Sequence, residues 1–301
     1  MQLKYSNDEK VFNIHTDEIP YLSVAMLDGL GVPNLYSTRL LSYDEESGRG
    51  SEGLRTALMK WEDKEEAAPH IAGMRDKLAR QIGSSIEHEC VTDQKHTNYV
   101  HVAKKEDIGL TWQEPRPLHL QYVDGIVSDI PDILLTAFGG DCPPVYLADP
   151  GRNAVGIVHA GWKGTLARIP AVAISQMVVH FGSDPKNIYA AIGPGVCRDC
   201  YEMGDEVYQA FASEWSRADA DALLSKYPAR DEKGCEIMGG KYHLDLFAAN
   251  KLTLLRAGVQ ESHIAVSNLC TMCNSDIFYS YRAGRLENEN AAMIVNRSKV
   301  R

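Results

Sequence analysis

The chain has 301 residues and a net charge of −10, with 44% hydrophobic and 24% charged residues. An acidic balance of this kind argues against nucleic acid or an anionic membrane surface as a partner, yet leaves room for a small anion in a local basic pocket. The apolar fraction supplies a globular core, and no run of eighteen apolar residues reads as a membrane span.

The N-terminal "MQLKYSNDEKVF" shows no basic region leading into an apolar run, so no secretory signal is expected. The seven cysteines are therefore read as reduced thiols or metal ligands of a cytoplasmic protein rather than as a disulfide framework. In "DGLGVPN", Gly29 and Gly31 lack the third glycine of a dinucleotide fingerprint, which leaves a loop or turn. Asp44 to Glu66 is the most charged stretch and reads as a solvated loop running into a helix. From Pro69 to Ile82, "PHIAGMRDKLARQI" sets Ile71, Met74, Leu78 and Ile82 at helical spacing.

Ile133 to Phe138, "ILLTAF", is a short apolar run bounded by Gly139 and Gly140, as expected of a buried strand. "VYLAD" and "AVGIVHAG" flank "PGRN", so a hairpin is expected, with Pro150-Gly151 in a type II turn. Thr165 to Phe181 reads as one amphipathic helix, and "IYAAIG" (Ile188 to Gly193) as a strand. Leu244 to Ala257 follows as a helix stopped by Gly258, then "HIAVS" and "AAMIVN" as strands. Strands and helices alternate irregularly and no linker interrupts them. The expectation is a single layered α/β/α domain with a mixed sheet, spanning residues 1–301.

Several chemistries are disfavoured at once. "GWKGT" lacks the spacing of a phosphate-binding Walker loop. The zinc-deaminase pattern is missing, because His88 is followed by Glu89 and Cys90 and neither CxxC pair follows a proline. Ten histidines without an H-x-H pair make a multicopper oxidase hard to build. Cys197/Cys200 and Cys270/Cys273 form two CxxC pairs, a pattern that can hold structural zinc, but about seventy residues separate them. One member of each pair could also be an ordinary core thiol, so a structural zinc site is the less favoured reading and a redox role is less favoured still.

Cys142 and His159 stand out by position. Each lies at a strand end beside glycines, with the hairpin between them, so their side chains can meet at its open end. They read as core filler, as a nucleophile with its base, or as two ligands of a metal.

Four motifs in this order, "TAFGGDCPPVYLAD", "VGIVHAGWKGT", "AAIGPGVCRDCYEMGDEV" and "LCTMCNSDIFYSYR", resemble the YfiH/DUF152 family, also called the laccase-domain or polyphenol oxidase-like family. The resemblance runs from about Asp93 to Arg282. Residues 1–90 diverge from the family pattern apart from "YSTR" (Tyr36 to Arg39).

The resemblance implies a YfiH-like fold and a Zn2+ ion held by His96, Cys142 and His159. His96 lies in "DQKHTNYV", where Thr97 replaces the family's glycine; His88 and His101 are the alternative first ligands. It further implies a purine nucleoside enzyme. The reactions are phosphorolysis of adenosine, inosine, guanosine or methylthioadenosine and deamination of adenosine, rather than laccase activity. Asp141 would assist departure of the base, with Arg39, Lys163 and Arg282 contacting nucleoside and phosphate. "GWKGT" at a helix start would be an anion seat. The alternatives are a non-catalytic zinc-binding or interaction protein of the same fold, and a hydrolase using Cys142 and His159.

Overall fold

The computed structural model describes residues 1–16, 18–44, 49–52, 64–109, 116–227, 229–230, 236–237, 240–284 and 288–297. The charged stretch between 44 and 66 falls largely outside them. Twelve strands build two six-stranded sheets. In chain order they are β1 (Phe12–His15), β2 (Tyr21–Val24), β3 (Asn34–Ser37), β4 (Glu89–Val91), β5 (Val100–Val102) and β6 (Gly125–Ser128). Then come β7 (Leu134–Gly139), β8 (Pro144–Asp149), β9 (Ala154–His159), β10 (Tyr189–Ile192), β11 (Ile264–Val266) and β12 (Asn290–Val295).

The first sheet has the order β1-β2-β3-β12-β7-β4 and the second β11-β10-β8-β9-β6-β5. Both are mixed: β4 runs parallel to β7, β5 parallel to β6 and β11 parallel to β10, and the other neighbours are antiparallel. The expected mixed-sheet α/β architecture is what the chain forms, with the sheet doubled.

The doubling follows from strands that are apolar on both faces. Leu135, Ala137 and Ala292 of the first sheet meet Ile126, Tyr146 and Ile157 of the second in one buried cluster. Leu134, Phe138 and Met293 point the other way, onto Leu78, Ala79 and Ile82 at the end of the helix Lys64–Gln81. Val145, Leu147 and Val158 face Ala173 and Met177 of the helix Ile169–Phe181 and Leu254 of the helix Leu246–Arg256. A strand covered on both sides reads as a continuous apolar run instead of an alternating one. The layers are therefore helix, sheet, sheet, helix. Among the described residues, no helix is long and apolar enough to cross a membrane.

The expected hairpin is β8 with β9, paired from Pro144↔His159 to Asp149↔Ala154. Its turn differs from the expected type II. Asp149 Oδ1 accepts from the N–H groups of Gly151 and Arg152 at 3.0 and 3.1 Å, and the residue with left-handed backbone is Asn153 (φ 52). The aspartate side chain, not the glycine, shapes the turn.

The helix expected over Thr165 to Phe181 is split into Trp162–Leu166 and Ile169–Phe181. Pro170 has no N–H to offer the carbonyl of Leu166. That carbonyl instead accepts the indole N–H of Trp215 at 2.8 Å, and Arg168 takes a left-handed φ of 58 at the break. The later helix begins at Leu246 because Asp245 caps it, accepting from the Ala248 N–H at 2.9 Å. Gly31, with φ 70, follows the short helix Ala25–Gly29 in a turn, as "DGLGVPN" suggests.

A polar contact crosses the layer between the sheets. The hydroxyl of Tyr146, fully buried, donates to the Leu35 carbonyl at 2.8 Å. Tyr146→Phe leaves that carbonyl one donor short and is expected to cost about 1 kcal/mol. The measurement is a urea midpoint that falls at unchanged slope.

Candidate metal centre

His96, Cys142 and His159 come from three different segments and meet at one point. Their ligand atoms all lie within 4.8 Å of one another, and Cys142 Sγ is 3.9 Å from His96 Nε2. Ladder geometry places the second and third donors. His159 ends β9 opposite Pro144, and one step further the Ala160 N–H bonds the Pro143 carbonyl at 3.0 Å. Continued by another residue, the register sets Cys142 across from Gly161. A Cβ at Gly161 would lie 2.7 Å from Cys142 Sγ and 3.0 Å from His96 Cδ2, so the position has room only for glycine. His96 arrives on the segment that crosses from β4 in one sheet to β5 in the other, and its backbone is left-handed at φ 60.

Asp124, directly before β6, holds this crossing segment, and the sequence reading missed it. Its Oδ2 accepts from the N–H groups of Lys95 and Thr97 and from the Thr97 hydroxyl at 3.0, 2.8 and 2.8 Å. Its Oδ1 accepts from the His96 N–H at 3.0 Å and lies 2.9 Å from His159 Nδ1. Burial alone would raise its pKa. The His159 ring and the Lys95 and Thr97 N–H groups outweigh that and lower it to about 2. An ionised carboxylate on Nδ1 leaves His159 Nε2 as the nitrogen for a metal, the usual carboxylate–histidine arrangement. Thr97 thus contributes two of the bonds that hold this carboxylate.

Without a metal, the two reactive groups polarise each other. Burial pushes the Cys142 thiol up, but His159 and His96 outweigh it and bring it below the ordinary range. Burial pulls His159 down, and the Cys142 thiolate with Asp124 reverses this and raises it. Each group therefore favours the charged form of the other. The same donors, with the imidazoles neutral, are a soft sulfur and two nitrogens, the set that suits zinc.

The donors lie in a cleft of about 710 Å³ lined by Phe138, Trp162, Tyr201, Tyr281, Arg282 and Glu289 among others. Arg282 places its guanidinium over the Tyr201 ring at 4.8 Å. Asp141 also lines the cleft, but its carboxylate is engaged. It accepts from the Thr271 and Ser280 hydroxyls and from the Arg282 N–H, each at 2.7 Å. Glu289, a carboxyl not anticipated from sequence, is raised by burial against the opposing fields of His159 and His96.

Other expected residues lie elsewhere. Arg39 is buried, donating to the Ser275 carbonyl at 3.0 Å and lying over Tyr279, outside the cleft lining. Lys163 is exposed with its ammonium 5.7 Å from the Trp162 ring centre, also outside that lining. His101 is bonded to Asp107 at 2.7 Å and His88 is exposed, and neither joins the donor group. The two CxxC pairs do converge: Cys197, Cys200, Cys270 and Cys273 form a second donor group.

Fold and site together define a mixed-sheet α/β protein whose cleft holds a His–Cys–His group able to take a metal ion. The family described as multi-copper polyphenol oxidoreductase laccase matches residues 56–295, and the chain belongs to it. The purine nucleoside phosphorylase YlmD of Bacillus subtilis (strain 168) is 32% identical over 208 residues, 69% of this chain and 70% of that protein. The adenosine deaminase RL5 of an unknown prokaryotic organism is 32% identical over 215 residues, 71% of this chain and 77% of that one. The crystal structure of the Bacillus licheniformis hypothetical protein YfiH matches with a TM-score of 0.75 at 27% identity, over 95% of this chain and 99% of that one. These similarities agree with the family read from the four motifs.

Two outcomes follow from the geometry. Gly161→Ala forces the thiol and the His96 ring apart, and is expected to weaken zinc binding about 10–100-fold, the scale of disturbed metal shells, as read by competition with a chromogenic chelator. Asp124→Asn should weaken it on the same scale and also change acid stability. A carboxylate whose folded pKa is depressed stabilises the fold above its ordinary value near ~4 and loses that contribution as pH falls through about 2. The wild type should therefore exceed the variant in unfolding midpoint at pH 6, with the gap closing toward pH 2.

Proposed function

We propose that this chain, as one domain spanning residues 1–301, is a zinc-dependent purine nucleoside phosphorylase acting on adenosine, inosine, guanosine or methylthioadenosine. The observation that carries the reading is the convergence of His96, Cys142 and His159 in a cleft lined with aromatic rings and an arginine. Similarity to proteins named purine nucleoside phosphorylase supports the substrate class. Two imidazoles and a thiolate fit zinc with one coordination position left open. Zinc held there supplies Lewis-acid polarisation at the reacting end of the substrate.

The remaining work falls to the chain's own groups. Phe138, Trp162, Tyr201 and Tyr281 offer ring faces to a purine, an interaction of about 1–3 kcal/mol per base. Arg282, with Lys95 on the same cleft, supplies the positive charge that orients inorganic phosphate. In phosphorolysis a phosphate oxygen bonds the ribose C1′ as the bond to the purine nitrogen breaks. The departing base takes up a proton, a transfer we assign to Glu289, a half-buried cleft carboxyl whose pKa is raised by desolvation. Asp141, bonded to Thr271, Ser280 and the Arg282 backbone, positions the arginine and the Cys142 loop.

Hydrolytic deamination of adenosine is the second reading, favoured by similarity to a protein named adenosine deaminase. Polyphenol oxidation is not proposed, because only His96 and His159 of the ten histidines join a metal-capable group among the described residues. The test incubates metal-quantified protein with adenosine, with and without phosphate, and resolves adenine, inosine and hypoxanthine. Phosphate-dependent adenine is expected, and inosine without phosphate marks the deaminase reading. No turnover by zinc-loaded wild type overturns the enzyme reading, and undiminished turnover by Cys142→Ala overturns the site.

A further inference from the structure

We propose that Cys197, Cys200, Cys270 and Cys273 hold a second metal ion, a structural zinc that ties together the two loops beneath the cleft. The four Sγ atoms lie within 4.8 Å of one another. A tetrahedral tetrathiolate with Zn–S near 2.3 Å sets its sulfurs ~3.8 Å apart, so the thiols are already close to the required spacing. Cys200 Sγ and Cys273 Sγ are 3.6 Å apart, far longer than a disulfide bond of about 2.05 Å, and all four cysteines are free.

The backbone around these thiols supports the same reading. Cys270 Sγ accepts from the Cys197 N–H at 3.3 Å and from the Cys273 N–H at 3.4 Å. Bonds from N–H to sulfur strengthen when the sulfur is a thiolate, as a metal ligand must be. Each CxxC pair lies on a tight turn, Cys197–Cys200 entering the 3-10 turn Arg198–Cys200 and Cys270–Cys273 following Leu269. The turns are held side by side by a short parallel bridge, Gly195↔Cys270, with the Thr271 N–H on the Gly195 carbonyl at 3.0 Å. That bridge accounts for the unusual chain separation of the pairs: the fold, not local sequence, closes the site. The adjoining hollow is lined by Lys4 and Arg198 together with Asp199 and Asp245, and Arg198 is paired with Asp245 at 2.8 Å.

This ion would act on the cleft through two neighbours. Tyr201 follows Cys200 and lies under the Arg282 guanidinium, and Thr271, between Cys270 and Cys273, donates to Asp141. The site is a positioning device, separate from the His–Cys–His group.

The test uses full-length protein carrying Cys142→Ala, which disables the first site, so its result does not depend on any nucleoside activity. Elemental analysis should still find one zinc per chain, falling to none when Cys200→Ser and Cys273→Ser are added. Cobalt loaded into the Cys142→Ala protein should show strong thiolate-to-metal charge-transfer bands with intense tetrahedral d–d absorption. This measurement decides the matter even if the triple variant fails to fold. A Cys142→Ala protein that retains no zinc and gives no such spectrum overturns the proposal. So does non-reducing mass spectrometry that finds the four cysteines paired as disulfides in freshly purified protein.

Discussion

The centre depends on one buried carboxylate. Asp124 reaches the backbone of three successive residues, Lys95, Thr97 and His96 between them, and the ring of His159. A left-handed non-glycine residue such as His96 is costly unless its surroundings fix it. Here the fixing group is the same one that selects the free nitrogen of His159. The segment crossing between the sheets and the end of β9 are therefore locked to a common point. Two donors from distant parts of the chain become one group because a single charge satisfies both.

A second carboxylate plays the same part on the opposite wall. Asp141 gathers Thr271, Ser280 and the Arg282 backbone, which brings the chain after β11 against the turn that carries Cys142. The cleft is thus framed by two buried anions, one behind the histidines and one behind the arginine. Glu289 and Asp93 are further carboxyls on the same cleft.

The parts of this arrangement visible in the sequence are those with local signatures. Apolar runs bounded by turn residues disclosed β7 to β12, and glycines beside Cys142 and His159 marked the open end of the hairpin. The doubling of the sheet was hidden because a strand buried on both faces gives one apolar run whatever covers it. The break before Ile169 is written in Pro170, but the partner that takes up the freed Leu166 carbonyl, the Trp215 indole, comes from a remote turn. Asp124 and Glu289 carried no signal, since a lone acid beside a strand looks like a surface residue until the fold buries it. Arg39 and Lys163, chosen for charge and motif position, lie outside the cleft lining, because periodicity does not say which way a cation turns. The four thiols met only because Gly195 and Cys270 pair across about seventy residues.

The hairpin gives the centre a ruler. Neighbouring antiparallel strands hold a spacing near 4.8 Å that their hydrogen bonds fix and their side chains scarcely alter. Cys142 and His159 are mounted on the two arms of that ladder, so their separation is inherited from the backbone. Loops around the cleft are then free to drift in length and composition and reshape what enters without recalibrating the distance between sulfur and nitrogen. Selectivity for the guest and grip on the ion become separately adjustable properties of one fold.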